Sequence, residues 1–180
     1  NDKNSLIIKD NIVSSYVHEG IIRLIIPKFR DGSEFEYNIP LFIVFRALGI
    51  QSDKEILQII LHDIDNPNME RYLQILQLSI KDAQGILTQQ DAFLYLQEKL
   101  SQIKNKSEKF KFIYVLDILQ NHFIPHIIGS LRMKAHYLGY MVREILNVYL
   151  GMGEETDKDS YIYKRVDLSG FLVGTIFRDL

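Results

Sequence analysis

His122 and His126 stand at i and i+4, the spacing that aims two imidazoles at one metal ion from a single helical face, with Asp117 as a conceivable third ligand. That set would suit a small histidine metallohydrolase. Pro125 lies between the two histidines and disturbs the helical geometry, and no glutamate completes an H-E-x-x-H pattern. A second cluster, Asp157-Lys158-Asp159-Ser160-Tyr161, imitates the start of a calcium loop, whose ligands fall at positions one, three and five. Ile162 occupies the place that needs glycine, and Leu168 the place that needs a bidentate glutamate. Neither cluster predicts a bound metal. Lys104, Lys106, Lys109 and Lys111 alternate with Phe110 and Phe112, which suits either a basic strip with aromatic platforms for single-stranded nucleic acid or a solvated helix face beside a loop. No glycine-rich phosphate loop, nucleophile elbow or converging carboxylate pair is present, so no catalytic residue is assigned.

Any site must be positioned by the elements that the hydrophobic pattern dictates. The first forty residues hold β-branched and aromatic residues in short runs, the pattern of strands. Residues 21–26 and 34–39 form a candidate antiparallel pair around the turn residues Asp31-Gly32-Ser33, with Pro27 and Pro40 expected to close the strands. From Leu41 the period becomes helical. Ser52 and Glu55 read as a capping box ahead of Ile56, Ile59 and Ile60, and Asp63 and Asp65 should end that helix. Asn66-Pro67 is expected to start the next one, with Met69, Tyr72, Leu73, Leu76 and Ile80 as its buried stripe and Gly85 as its break. Thr88 can cap a helix carrying Phe93, Leu96 and Leu100. A polar loop around Lys104 to Ser107 precedes a helix through Phe112, Leu116, Leu119 and Phe123 that should stop near Pro125. The strongest periodicity predicts a helix over 131–149, with Leu131, Ala135, Leu138, Val142, Ile145 and Tyr149 on its buried face. Gly151 and Gly153 end it, and a last apolar helix begins near Asp167 or Leu168.

The class is therefore α+β: a mostly helical domain, mainly helical over 40–180, with a small antiparallel β part in the strand-rich residues 1–38. At 180 residues the chain has the length of one domain and can bury a core without disulfides. With 47% apolar and 24% charged residues and a mean hydropathy of −0.04, the composition excludes a disordered chain. Lys and Arg number 21 against 23 Asp and Glu, so bulk charge makes no case for nucleic acid or a membrane surface, and any such contact must be local. No apolar run approaches the roughly 20 residues of a membrane-spanning helix. Cysteine is absent, which removes thiolate chemistry and fits a reducing, intracellular setting. The opening Asn1-Asp2-Lys3-Asn4 carries no targeting signal, and the chain reads as a piece of something longer.

Three stretches in order carry a resemblance. They are Ile39-Pro40-Leu41-Phe42-Ile43-Val44-Phe45-Arg46-Ala47-Leu48-Gly49, then Lys134-Ala135-His136-Tyr137-Leu138-Gly139-Tyr140-Met141-Val142, then residues 157–170 ending in Lys164-Arg165-Val166-Asp167-Leu168-Ser169-Gly170. Together they resemble the second-largest, β-type subunit of multisubunit DNA-directed RNA polymerase, and within it the lobe domain. The third stretch is the most specific, because the family pattern there is D-x-D-H-x-G-x-K-R followed by a leucine-rich helix. Asp157, Asp159, Lys164 and Arg165 match it, while Ser160 stands in place of the family's His and Ile162 in place of its Gly.

The resemblance implies a noncatalytic wall of the DNA cleft in a nucleotidyltransferase, with Lys164 and Arg165 as candidate DNA or cleft contacts and Asp157 and Asp159 supporting them. It implies no cofactor in this chain, since the magnesium and zinc ligands of such enzymes lie elsewhere in the assembly. Expected partners are the other polymerase subunits, the DNA template and transcription initiation factors, with no membrane. The expected setting is intracellular, the nucleus or, for a virus, host cytoplasm or virion. A free-standing helical protein-interaction module is the competing reading of the same helix patterning.

Overall fold

The computed structural model describes residues 14–18, 21–30, 36–62, 70–100, 105–153, 157, 160–163 and 168–179. Among these residues three strands, β1 (Ser14–His18), β2 (Ile21–Arg30) and β3 (Glu36–Pro40), form one antiparallel sheet in the order β1-β2-β3. The expected hairpin is present, with Leu24 opposite Ile39 and Ile25 opposite Asn38. Alternation explains its sidedness: Ile22, Leu24 and Ile26 are buried, whereas Ile21, Arg23 and Ile25 lie between them half-buried. Pro27 does not close β2, contrary to the sequence reading. The strand runs on to Arg30, which pairs with Glu36, and the register shifts between Ile25 and Arg30. A proline has no N–H to give to the ladder, and an irregularity of this kind is where a strand tolerates one.

Among the described residues seven α-helices follow: α1 (Leu41–Ala47), α2 (Asp53–Leu61), α3 (Glu70–Asp82), α4 (Gln89–Glu98), α5 (Glu108–Asp117), α6 (Leu131–Tyr149) and α7 (Ser169–Asp179). Every residue of α1 is buried, as its unbroken apolar run requires. The sheet is fastened to α3 by polar groups as well as by packing. The Ile22 N–H donates to Ser79 Oγ at 3.0 Å, and Arg23 holds both carboxylate oxygens of Asp82 at 2.8 and 3.0 Å. Ser79 is buried, so its hydroxyl satisfies a donor that the ladder leaves over.

Caps behave unevenly. Thr88 and Asp91 form the full capping box at α4, and Ser107 and Ser130 accept from the N–H groups of Phe110 and Met133 to start α5 and α6. Ser52, expected to form a box with Glu55, makes no side-chain cap at α2. Both first-turn carboxylates there have distant partners instead: Asp53 pairs with Arg46 and Glu55 with Arg132 on α6. Helix α2 ends one residue before the expected acids, at His62 with φ +64°. The expected start at Asn66-Pro67, the stripe residue Met69 and the acids Asp63 and Asp65 lie outside the described residues.

The α6 stripe is buried at Ala135, Leu138, Val142 and Ile145, while its ends Leu131 and Tyr149 reach the surface. On α5 the buried residue is Val115. Phe112, expected in the core, is 46% exposed and rests on Phe93 with ring centroids 4.8 Å apart. The α2–α6 crossing is set by Gly139. A Cβ there would stand 2.6 Å from Ile59 Cγ2 and 2.9 Å from the Ile59 carbonyl oxygen, so two backbones meet where only glycine fits. Gly139→Ala is expected to lower the unfolding free energy by about 1–2 kcal/mol despite alanine's better helix propensity, because a backbone carbonyl cannot rotate aside. Denaturant unfolding that shows a stabilised variant would contradict this crossing. No described helix is long and apolar enough to cross a membrane.

Candidate functional site

The histidine pair does not assemble. Helix α5 widens into a π-helical turn over Ile118–His122, Phe123 is extended, and Ile124 takes φ +48°, so His126 has left the helix on which His122 sits. His122 Nε2 lies 3.8 Å from Asp117 Oδ2, and Asp117 also accepts from Asn121 at 2.7 Å. The His126 ring instead packs edge-on against Tyr137 of α6 at 5.0 Å. Among the described residues no three His, Cys, Asp or Glu side chains converge on a common point. An i,i+4 pair needs an unbroken α-helix through Pro125, and the chain leaves the helix at Phe123.

What the π-turn does show is a buried lysine that the sequence reading passed over. Lys134 of α6 is 1% exposed, and its ammonium donates to the carbonyls of Leu119 (3.2 Å), Gln120 (2.6 Å) and Phe123 (2.5 Å). Widening a helix and then stopping it leaves carbonyls without N–H partners, and an ammonium with three donors answers that need. Burial lowers the Lys134 pKa from the ordinary 10.5. The signal was available: Lys134 falls one turn after Leu131 and beside Ala135, on the apolar face itself.

Arg46 is the second such group. Its guanidinium projects from α1 and is buried, donates to the carbonyls of Ala83 (3.1 Å) and Ile86, and pairs with Asp53 at 2.5 Å, while its Nε has no partner among the described residues. It ties the start of α2 to the turn after α3. A charged side chain in an otherwise apolar run was the sequence cue, and the carbonyls it would meet were not. Both cations act on the fold.

Of the predicted cleft residues the structure describes one. Asp157 is exposed, and its carbonyl accepts from the Ser160 N–H at 3.1 Å in a turn that leads into a 3₁₀ turn at Tyr161–Tyr163. Asp159, Lys164 and Arg165 lie outside the described residues, as does Lys104 of the basic strip. Lys106 and Lys109 are exposed, and Lys111 pairs with Glu108 at 2.7 Å.

The first and second of the sequence stretches thus hold residues that set the fold, the buried cation Arg46 in one, and the buried cation Lys134 with the close-packed Gly139 in the other. A family model described as "RNA polymerase Rpb2, domain 2" matches residues 32–167, three quarters of the chain. The chain belongs to this family. It is 34% identical over 165 residues to DNA-directed RNA polymerase II subunit RPB2 of Encephalitozoon cuniculi, covering 89% of the chain and 13% of that protein. It is 39% identical over 145 residues to DNA-directed RNA polymerase II subunit 2 of Arabidopsis thaliana, covering 79% of the chain and 12% of that protein. An archaeal relative, DNA-directed RNA polymerase subunit Rpo2N of Methanococcus vannielii, is 35% identical over 143 residues, 78% of the chain and 28% of that protein. This Rpb2 domain 2 member therefore spans only a small part of the length of its relatives. Strand β3, helices α1 to α6 and the three stretches fall wholly or mainly within the match, and β1, β2 and α7 lie beyond it.

Proposed function

We propose that this chain is the lobe module of the second-largest subunit of a DNA-directed RNA polymerase, a noncatalytic wall of the DNA cleft. The observation that carries the reading is the domain match over residues 32–167, joined to relatives whose names are all those of RNA polymerase subunits. Its partners are then the other polymerase subunits, the DNA template and initiation factors at the outer surface, in an intracellular enzyme. The chain contributes no cofactor, magnesium and zinc being held elsewhere in the assembly. Given Mg²⁺, template and ribonucleotides, the isolated chain incorporates nothing, because phosphoryl transfer of this kind needs metal ions clamped by convergent carboxylates.

Lys164 and Arg165 are the proposed cleft contacts, supported by Asp157 and Asp159, on the strength of their match to the family pattern. Phosphate contacts add through counterion release, so a few well-placed cations suffice on a chain of net charge −2. A guanidinium also grips a phosphate or carboxylate in a bidentate geometry that lysine cannot copy. Arg165→Ala is therefore expected to leave the melting curve of the chain nearly unchanged, and to make template retention by the assembled polymerase fail at lower salt. The opposite pattern, a chain several kcal/mol less stable inside an enzyme that transcribes normally, would make Arg165 a structural partner and refute its cleft role.

A further inference from the structure

Helix α7 carries an apolar face in solvent. Val173, Ile176 and Phe177 are 50, 62 and 75% exposed, at the i, i+3, i+4 spacing that sets three side chains on one side of a helix. Leu168, directly before the helix, is 76% exposed. No described residue of α7 belongs to the buried core, to which β2, β3 and α1 to α6 all contribute. A helix of 11 residues is marginal alone in water, and in proteins most helical stability comes from packing an amphipathic face. Gly170 and Gly174 weaken α7 further, because each costs backbone entropy inside a helix. A Cβ at either would meet nothing within 4 Å, so no close approach among the described residues calls for glycine there.

We infer that the face of Val173, Ile176 and Phe177 packs against another domain of the same polymerase subunit, and that this contact anchors the Lys164-Arg165 segment. The inference rests on the reading of the chain as a module of that subunit. The domain match ends at residue 167, two residues before α7 begins, so the helix lies outside the matched unit as well as outside its core. The aligned residues make up 13% of the Encephalitozoon relative and 12% of the Arabidopsis one, so a subunit of that length has ample chain to supply the covering surface. The chemistry of the face agrees. Valine, isoleucine and phenylalanine with no charge among them suit a permanent, core-like contact, whereas surfaces for partners that come and go are more polar. Arg165 stands four residues ahead of Ser169, so a docked α7 holds its backbone within roughly 14 Å of a fixed point.

Hydrogen exchange of the α7 amides tests this, read in the 180-residue chain alone and in the polymerase assembled with the full-length subunit. Exchange over residues 169–179 should be about tenfold or more slower in the assembled enzyme, with no initiation factor present. Ile176→Asp and, independently, Phe177→Asp should leave the melting curve of the isolated chain nearly unchanged, since both side chains are exposed. In the enzyme each should return α7 toward the exchange rate of the isolated chain and make template retention fail at lower salt. Leu87→Asp, on the turn between α3 and α4 and also 62% exposed, should do neither. Equal exchange in chain and enzyme would overturn the inference, and if the isolated chain were then a dimer that Ile176→Asp dissolves, the face would belong to a second copy. Protection that appears only on adding an initiation factor would overturn it in favour of a transient partner. Variants that bare α7 yet hold template as wild type would overturn the anchoring role. A wild-type subunit that joins no polymerase would refute the module reading and this one together, whereas the other outcomes are read in an assembled enzyme and bear on α7 alone.

Discussion

Truncating Leu138 to alanine is expected to lower the unfolding free energy by about 2–5 kcal/mol, the range of a fully buried leucine. Leu138 has no exposed surface and sits at the middle of α6, beside the glycine at which α6 meets α2. How much of that range is realised depends on whether neighbours can move in to fill the space. Here they cannot come far. The Gly139 backbone already lies against Ile59 side chain and carbonyl, so the two helices have no closer position to adopt. The cost should fall in the upper half of the range. Chemical denaturation of wild type and variant at equal m-value measures it, and a change below about 1 kcal/mol would show that a different face of α6 is inside.

Replacing Lys134 by methionine is expected to destabilise the chain by about 3 kcal/mol, although methionine matches the aliphatic stem and removes a buried charge. The loss arises at the other end of the hydrogen bonds. The carbonyls of Leu119, Gln120 and Phe123 lose a shared donor, and those of Leu119 and Phe123 lose it in bonds that are fully buried. Lys134→Arg should not rescue, because a planar fork cannot converge on three carbonyls from one atom. The pH dependence has a definite sign. Burial puts the folded-state pKa below the 10.5 of a free lysine, so just under pH 10.5 the unfolded chain binds more protons than the folded one. The advantage of wild type over Lys134→Met should therefore grow as pH climbs through that window, and shrink as pH falls through the folded-state value. A methionine variant as stable as wild type at neutral pH would mean that water satisfies the π-turn, and the lysine is dispensable.

Each of these predictions turns on a contact between elements distant in sequence, and that is where the sequence by itself stopped. Local pattern was enough for the hairpin of β2 and β3, for the cap at Thr88 and for α6 from Leu131 to Tyr149, because alternation, capping and the 3.6-residue repeat are properties of neighbours along the chain. Family membership was legible by another route, the resemblance of three ordered stretches, which fall largely within the matched residues 32–167. Periodicity misjudged Ser52, whose partner Glu55 was drawn away by Arg132, and Phe112, whose ring settles on Phe93 at the surface. Only the tertiary structure could show why a lysine and an arginine stand among apolar residues. The carbonyls that Lys134 and Arg46 satisfy belong to segments 11 to 40 residues away, and no rule of spacing connects a buried donor to acceptors that become neighbours only when the chain has folded.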